Sequence, residues 1–347
     1  MKIGTATAAP GERATGYRTV TELPTGQSEQ VPVVVVNGCD PGPTVWVTAA
    51  IHGDEPTGVA AIHELLPQVR SDSLAGTLVC VPGMNPAGLR TNSRTSYYHD
   101  EDPNRQFRRG DEGPEQPRVQ QRISERIYGD IVETADVVLS LHTSWVATHP
   151  YTIQPRVPYG RDRTVADAVE LRDTLTGLTA AFGLPVVNQF GRPTAERRGL
   201  LCTLTGAAIA DGIPAFTLEL GGRFAVDQDA CRAAVDGLRN VLAKLEMVER
   251  SPASTTFGFD TDEQLARLVH PHTDTPGLVT YTVTEGDRIE PEQVVAEVRS
   301  PHGELRTAVE SEYAGYVLSR HEKTAVYEGD PLLDVAVPDD DPLLVEH

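Results

Sequence analysis

Four side chains in this sequence have the types and positions to work on one cation and its water. His52 and Glu55 stand three residues apart in Thr44-Val-Trp-Val-Thr-Ala-Ala-Ile-His52-Gly-Asp-Glu55-Pro. A neutral imidazole and a carboxylate at that spacing can both reach one divalent metal, and two such ligands want a third from elsewhere. His142 and Glu219 each close an apolar run, Asp136-Val-Val-Leu-Ser-Leu-His142 and Pro214-Ala-Phe-Thr-Leu-Glu219. Two histidines and a carboxylate around an open fourth position make a catalytic zinc arrangement, and a second carboxylate nearby can serve as general base. Taken singly each has a duller reading. A bare His-x-x-Glu arises by chance, His142 suits a buried strand-end histidine bonded to backbone, and Glu219 suits a turn cap. Their shared place at strand ends lifts the chemical reading above these.

The elements that would position them follow from the same pattern. The β-branched run before His52 reads as a buried strand. Gly53 and Asp54 turn the chain, and Pro56 suits the first position of a helix running to about Arg70. Strand ends of this kind are where open α/β sheets hold ligands. Gly76-Thr-Leu-Val-Cys-Val-Pro is a second buried strand, and Asp136 to Leu141 and Pro214 to Leu218 are further ones. Val119, Ile123, Ile127 and Ile131 recur at helical spacing within a stretch from about Glu115 to Glu133. Residues 164 to 183 and 228 to 248 also read as helices. Strands alternating with helices specify an α/β sheet that is at least partly parallel. Residues 1 to about 40 are short extended pieces between turns. A long polar loop from Leu89 to Gly113 carries Arg94, Tyr97, Tyr98, His99, Asp102, Asn104, Arg105 and Phe107, and loops of that length are usually functional or disordered.

Ser251-Pro-Ala-Ser-Thr-Thr reads as a linker, so residues 1–250 form one domain. Residues 265–347 are short β-type runs with Glu-Gly-Asp at both 285–287 and 328–330, a smaller all-β domain with a weak internal repeat.

The 347 residues carry 50 acidic and 30 basic side chains, a net charge of -20, and only three of the cations are lysines, Lys2, Lys244 and Lys323. Such a surface opposes nucleic acid and anionic membranes. No apolar run is long enough to span a bilayer, the N-terminal residues lack a secretory signal, and Cys39, Cys80, Cys202 and Cys231 form no paired motif. A cytoplasmic protein with reduced thiols is expected. Acidic, lysine-poor composition further points to a salt-loving source, where high ionic strength screens the self-repulsion.

On its motifs the chain resembles the succinylglutamate desuccinylase/aspartoacylase family of the zinc carboxypeptidase-like clan. The pieces are His52-Gly-Asp-Glu55, Asn85-Pro, Arg94, Asp102-Pro-Asn104-Arg105-Gln-Phe107, Leu141-His142-Thr and Thr217-Leu-Glu219-Leu-Gly-Gly, in family order from about residue 30 to 245. The resemblance implies a mixed sheet flanked by helices with a smaller C-terminal β domain of biotinyl/lipoyl-like type. It implies one zinc ion per chain held by His52, Glu55 and His142. Glu219 would move the proton, Arg94 would stabilise the oxyanion, and Asn104 and Arg105 would bind a substrate carboxylate. Ser140 departs from the family, which often has an acidic residue two before the third ligand.

A zinc-dependent deacylase of small anionic N-acyl amino acids is therefore the expectation. A metallocarboxypeptidase acting on peptide C-termini and a silent metal- or ligand-binding protein are the alternatives. Lys323 lacks the context of a carrier lysine, so the terminal domain is expected to cover the pocket mouth or to build a homo-oligomer. His63 reads as structural, His99 and His149 as bordering the pocket, and Arg197 with Arg198 as a solvated pair.

Overall fold

The computed structural model describes residues 1–108, 114–161, 163–249, 256–321 and 323–346. At its centre four parallel strands lie side by side in the order Ala75–Val81, Asp40–Ala49, Val137–His142 and Ala215–Glu219. Val137–His142 is buried at every position, as befits a parallel strand covered on both faces. Register places Ala49 opposite Leu141 and Glu219 opposite His142, so the carboxyl ends of three strands reach one edge together. A slip of one residue would send His142 or Glu219 to the opposite face.

Antiparallel strands complete the mixed sheet. Ser28–Asn37 and Glu12–Glu22 extend it on one side, and Tyr151–Gln154 pairs with Ala215–Glu219 on the other. Helices Pro56–Leu65, Val165–Phe182 and Gln228–Lys244 cover it. Gly237 is required where two of these helices meet, because a Cβ there would sit 2.5 Å from the Phe182 ring. The first helix stops at Leu65 rather than near Arg70, since Pro67 has no N–H with which to continue the helical hydrogen-bond ladder. Pro117 likewise delays the expected Glu115 helix to Val119.

The C-terminal region is all β, in two parts. Gly277–Tyr281, Val294–Arg299, Leu305–Glu310 and Ala325–Val326 form a separate four-stranded sheet, and its Val295, Ala296 and Val298 share one apolar cluster with Val317, Leu333 and Val335. Leu265–Val269, Leu333–Pro338 and Gly315–Arg320 instead prolong the main sheet, the first of them pairing with Val186–Asn188. A buried pair holds the junction: Arg156 Nη2 donates to both carboxylate oxygens of Asp339 at 2.9 Å. Of the expected linker, residues 251–255 lie outside the described residues, as do 109–113 of the long loop. Among the described residues no helix is long and apolar enough to cross a membrane.

Candidate metal centre and active-site cleft

The turn after Asp40–Ala49 is clamped by backbone. Ala50 adopts a left-handed φ of 50°, a conformation that costs a non-glycine residue about 1 kcal/mol or more and persists where the surroundings impose it. Here Asn85 N–H donates to the Ala50 carbonyl at 2.9 Å and Met84 N–H to that of Ala49 at 3.0 Å. Gly53 is pressed on the next helix, Pro86–Thr91, so closely that a Cβ would lie 2.0 Å from the Gly88 carbonyl carbon. Glu55 occupies the N-cap position of Pro56–Leu65, yet its side chain caps nothing. It is free to turn toward the histidines.

It does so with both oxygens. Glu55 Oε1 lies 2.7 Å from His52 Nδ1, and Oε2 lies 2.8 Å from His142 Nδ1. All three side chains are buried, and their ligand atoms fall within 4.8 Å of one another. Burial alone would raise the Glu55 carboxyl, but the two imidazoles hold it far below the ordinary carboxylate range. The outward nitrogens have partners too. His52 Nε2 meets Asp102 Oδ1 at 2.9 Å, and His142 Nε2 lies 3.4 Å from Asn104 Nδ2. A carboxylate on the far nitrogen fixes ring orientation and raises ligand basicity. Such convergence suits a borderline cation taking nitrogen and oxygen donors, zinc foremost.

Asp102 also organises the arginines. Arg94 Nη2 donates to its Oδ2 at 3.1 Å, and Arg105 Nη1 approaches it to 3.8 Å. Its burial is outweighed by the His52 hydrogen bond and these cations, which keep it ionised well below the usual range. Arg94 reaches Glu55 Oε1 at 3.5 Å, and its backbone carbonyl is met at 3.5 Å by the fully buried Asn85, which caps helix Pro86–Thr91. Asn104 Oδ1 accepts from Leu204 N–H at 3.0 Å, while Arg105 Nε donates to the Arg198 carbonyl at 2.9 Å.

His52, Glu55, Arg94, Asn104, Arg105 and His142 line a cleft of about 500 Å³ with Glu219 in its wall. Glu219 Oε2 is buried without a hydrogen-bond partner among the described residues. Burial, reinforced by Glu55 and opposed by His142, pushes its carboxyl above the usual range. A carboxylate so placed can accept a proton from water and return it.

The sequence model of the succinylglutamate desuccinylase/aspartoacylase catalytic domain matches residues 41–245. The chain belongs to the succinylglutamate desuccinylase/aspartoacylase family. Over 311 residues it is 26% identical to an N-alpha-acetyl-L-2,4-diaminobutyric acid deacetylase of Halomonas elongata, covering 88% of this chain and 85% of that protein. Among solved structures, a succinylglutamate desuccinylase from Silicibacter sp. superposes with a TM-score of 0.78 at 22% identity, covering 98% of this chain and 100% of that one. The product-bound ectoine utilization protein EutE (DoeB) from Ruegeria pomeroyi gives 0.79 at 22% identity, with 97% and 99% covered. These likenesses carry the fold.

Within this family member the residues singled out from sequence meet in one place: His52, Glu55, Arg94, Asn104, Arg105, His142 and Glu219 all line the cleft. Ser140 is buried and turned toward Thr48, their hydroxyls 3.5 Å apart. The carboxylate against the outward nitrogen of His52 comes instead from Asp102, in the loop that carries Asn104 and Arg105. Neither His99 nor His149 lines the cleft, and His149 stacks on Phe259 at 5.0 Å instead. His63 is exposed on the outer side of its helix. Arg197 and Arg198 part company: Arg197 donates to Thr194 Oγ1 at 2.9 Å, whereas Arg198 lines the cleft with its guanidinium 4.7 Å over the Phe190 ring. Arg223 and Arg267 line it unforeseen. Arg267 sits in Leu265–Val269, whose alternation reads as an ordinary edge strand. Only its pairing with Val186–Asn188, a three-residue strand with no signal in sequence, brings it here.

Proposed function

We propose that this protein is a zinc-dependent amidohydrolase that removes the acyl group from a small N-acylated amino acid, releasing a carboxylate and a free amine. The observation that carries the reading is Glu55 wedged between the two Nδ1 atoms, with Glu219 opposite His142 in register on the next strand. His52, Glu55 and His142 would hold the cation. Bound there, zinc supplies Lewis acidity and brings a water's pKa to about 7.

The remaining steps belong to the chain's own groups. Glu219 takes a proton from the attacking water and delivers it to the leaving nitrogen, so the C–N bond breaks to an amine rather than an amide anion. Arg94, held by Asp102 and Glu55, meets the negative charge developing on the acyl oxygen, a contribution of a few kcal/mol when preorganised. Asn104 and Arg105 receive the substrate carboxylate, for which a planar fork suits better than an ammonium. Asp102 keeps His52 and Arg94 in register with one another.

The size of the cleft and the C-terminal strand in its wall favour a small substrate over a peptide. N-acetyl-2,4-diaminobutyrate, named by the Halomonas relative, and N-acetyl- and N-succinyl-amino diacids are the substrates to compare. We place the activity in the cytoplasm of a salt-adapted cell, on the acidic, lysine-poor composition. The test is hydrolysis of that panel by zinc-loaded protein beside Glu219→Gln and His142→Ala. Release of amine by the parent, with collapse in both variants, is expected. Equal turnover in Glu219→Gln removes it as the base, and faster turnover of peptides than of acyl amino acids reverses the substrate order.

A further inference from the structure

Three backbone segments carry the proposed ligands and base, and a single loop touches all of them. Residues 220–227 follow Glu219 directly. Leu220 N–H donates to the His142 carbonyl at 2.8 Å, and Ser144 N–H donates to that of Gly221 at 3.2 Å. Phe224 N–H donates at 2.9 Å to the carbonyl of Asp54, the residue before Glu55. Asp227 N–H reaches Oγ1 of the fully buried Thr57 at 3.2 Å. The loop has little freedom to adjust. A Cβ on Gly222 would lie 1.8 Å from the Val146 carbonyl oxygen. Phe224 holds a left-handed φ of 72°, an outlier for a bulky side chain. Strain of that kind persists only where the surroundings impose it, and it collects at functional sites.

One side chain of this loop repeats what its backbone does. Arg223 Nη1 lies 3.4 Å from Asp54 Oδ2. Its guanidinium carbon lies 5.2 Å from the ring centroid of Trp145, three residues beyond His142, and 5.4 Å from that of Phe224. Both distances fall where a ring face attracts a cation. Trp145 is backed in turn by the buried His321, with 4.0 Å between ring centroids, and His321 Nε2 meets Asp334 Oδ1 at 3.2 Å. A flat, rigid group therefore spans from the His52–Glu55 turn to the loop that follows His142. That span is needed, because the two strands last pair at Ala49 and Leu141, and His52 and Glu55 lie beyond the ladder.

As a source of stability the Arg223–Asp54 pair is poor. The two side chains are only 16% and 3% exposed, yet they share one long contact. Asp54 Oδ1 and Arg223 Nε are buried without hydrogen-bond partners among the described residues. A buried ion pair with polar atoms left over offsets little of its desolvation. What the pair does supply is a fixed distance between two ligand-bearing segments.

We propose that Arg223 is a positioning residue of the metal centre, setting the His52–Glu55 turn against the His142 loop and so the spacing of the three ligand atoms, an assignment that rests on the metal site proposed above. It acts through Asp54 and Trp145 and needs no contact with substrate.

The experiment compares the full-length parent with Arg223→Gln, Arg223→Lys, Asp54→Asn and the double variant Arg223→Gln with Asp54→Asn, each below its own Tm. Zinc affinity is read by competition with a chromogenic chelator, and ligand geometry by the visible absorption of the cobalt-loaded protein. Arg223→Gln weakens zinc binding about tenfold, the low end for groups that orient ligands from outside, and shifts the cobalt bands. Arg223→Lys keeps the charge beside Asp54 without the flat group between the rings, and recovers part of the loss. At saturating zinc the deficit lies in kcat, with KM near that of the parent. Both single changes break one contact, so the double variant is no worse than the weaker single one. It leaves no unpaired charge, and it reports even where Arg223→Gln fails to fold. Parental zinc affinity and cobalt bands in the Arg223 variants, with only Tm or only KM altered, make Arg223 a structural or substrate-binding residue and overturn the proposal. Losses that simply add in the double variant overturn it too. A parent that binds neither zinc nor cobalt brings down the metal site and this assignment together, whereas failure of the assignment alone leaves the parent's metal binding and hydrolysis intact.

Discussion

The cleft has two walls built on different principles. The metal wall is made by strand ends of one parallel unit, with His52, Glu55 and His142 all buried and each outward ring nitrogen against Asp102 or Asn104. The arginine wall is assembled from segments far apart in sequence, the Arg198 turn and the C-terminal strand Leu265–Val269, which pairs with Val186–Asn188, and the two meet at the Phe190 ring. One wall is fixed by backbone register and the other by side chains around Phe190. On the proposed reading, residues that would share an ion tolerate no displacement, while residues that would recognise a substrate can be supplied from wherever the sheet is extended. Damage to the first should therefore abolish chemistry, and damage to the second should redistribute preference.

The largest expected effect comes from the metal wall itself. His142→Ala, or removal of metal by chelator, abolishes turnover, and zinc restores it only to the chelated parent. Metal analysis alongside the assay checks this, and full activity in metal-free protein would break the contrast between the walls. Glu219→Gln comes next, lowering kcat by about 10²–10⁴-fold while metal content stays that of the parent. Asp102→Asn is milder, weakening zinc affinity about 10- to 100-fold through His52, read by competition with a chromogenic chelator. Unchanged affinity would mean that Asp102 serves only the arginines.

The metal wall was legible in sequence because its ligands end apolar runs whose period declares them strands. Helix limits were off where Pro67 and Pro117 cut the periodic pattern short. The arginine wall was not legible. Arg198 stands beside Arg197 with nothing in the sequence to separate a solvated guanidinium from one facing a cleft. Arg267 lies in the all-β half, and no local pattern reports that Leu265–Val269 joins the main sheet. Asp102 was visible as part of a motif, yet its contact with His52, fifty residues away in the chain, is set by the path of the intervening loop.

A smaller prediction concerns the support of that loop. Buried Glu29 accepts from Arg90 Nη2 at 2.7 Å and Nη1 at 2.8 Å, and also from the Tyr98 hydroxyl. Its burial is outweighed by these partners, which hold its carboxyl below the ordinary value of 4.5. A depressed carboxyl stabilises the fold above its unfolded pKa, and that stability is lost as pH falls through the folded value. Glu29→Gln should cost about 1–3 kcal/mol near neutrality and flatten the acid limb of the stability curve. A parallel, merely shifted curve would deny Glu29 this part. The smallest effect is graded: Tm should rise steadily with KCl as salt screens the charge of -20, and a flat or falling Tm removes the salt-adapted reading.

The most direct measurement is anomalous diffraction at the zinc edge from crystals of the zinc-loaded protein. One peak per chain, bounded by His52 Nδ1, Glu55 and His142 Nδ1 and missing in His142→Ala, is the predicted result. A peak elsewhere, or none in a folded and zinc-saturated protein, contradicts the account.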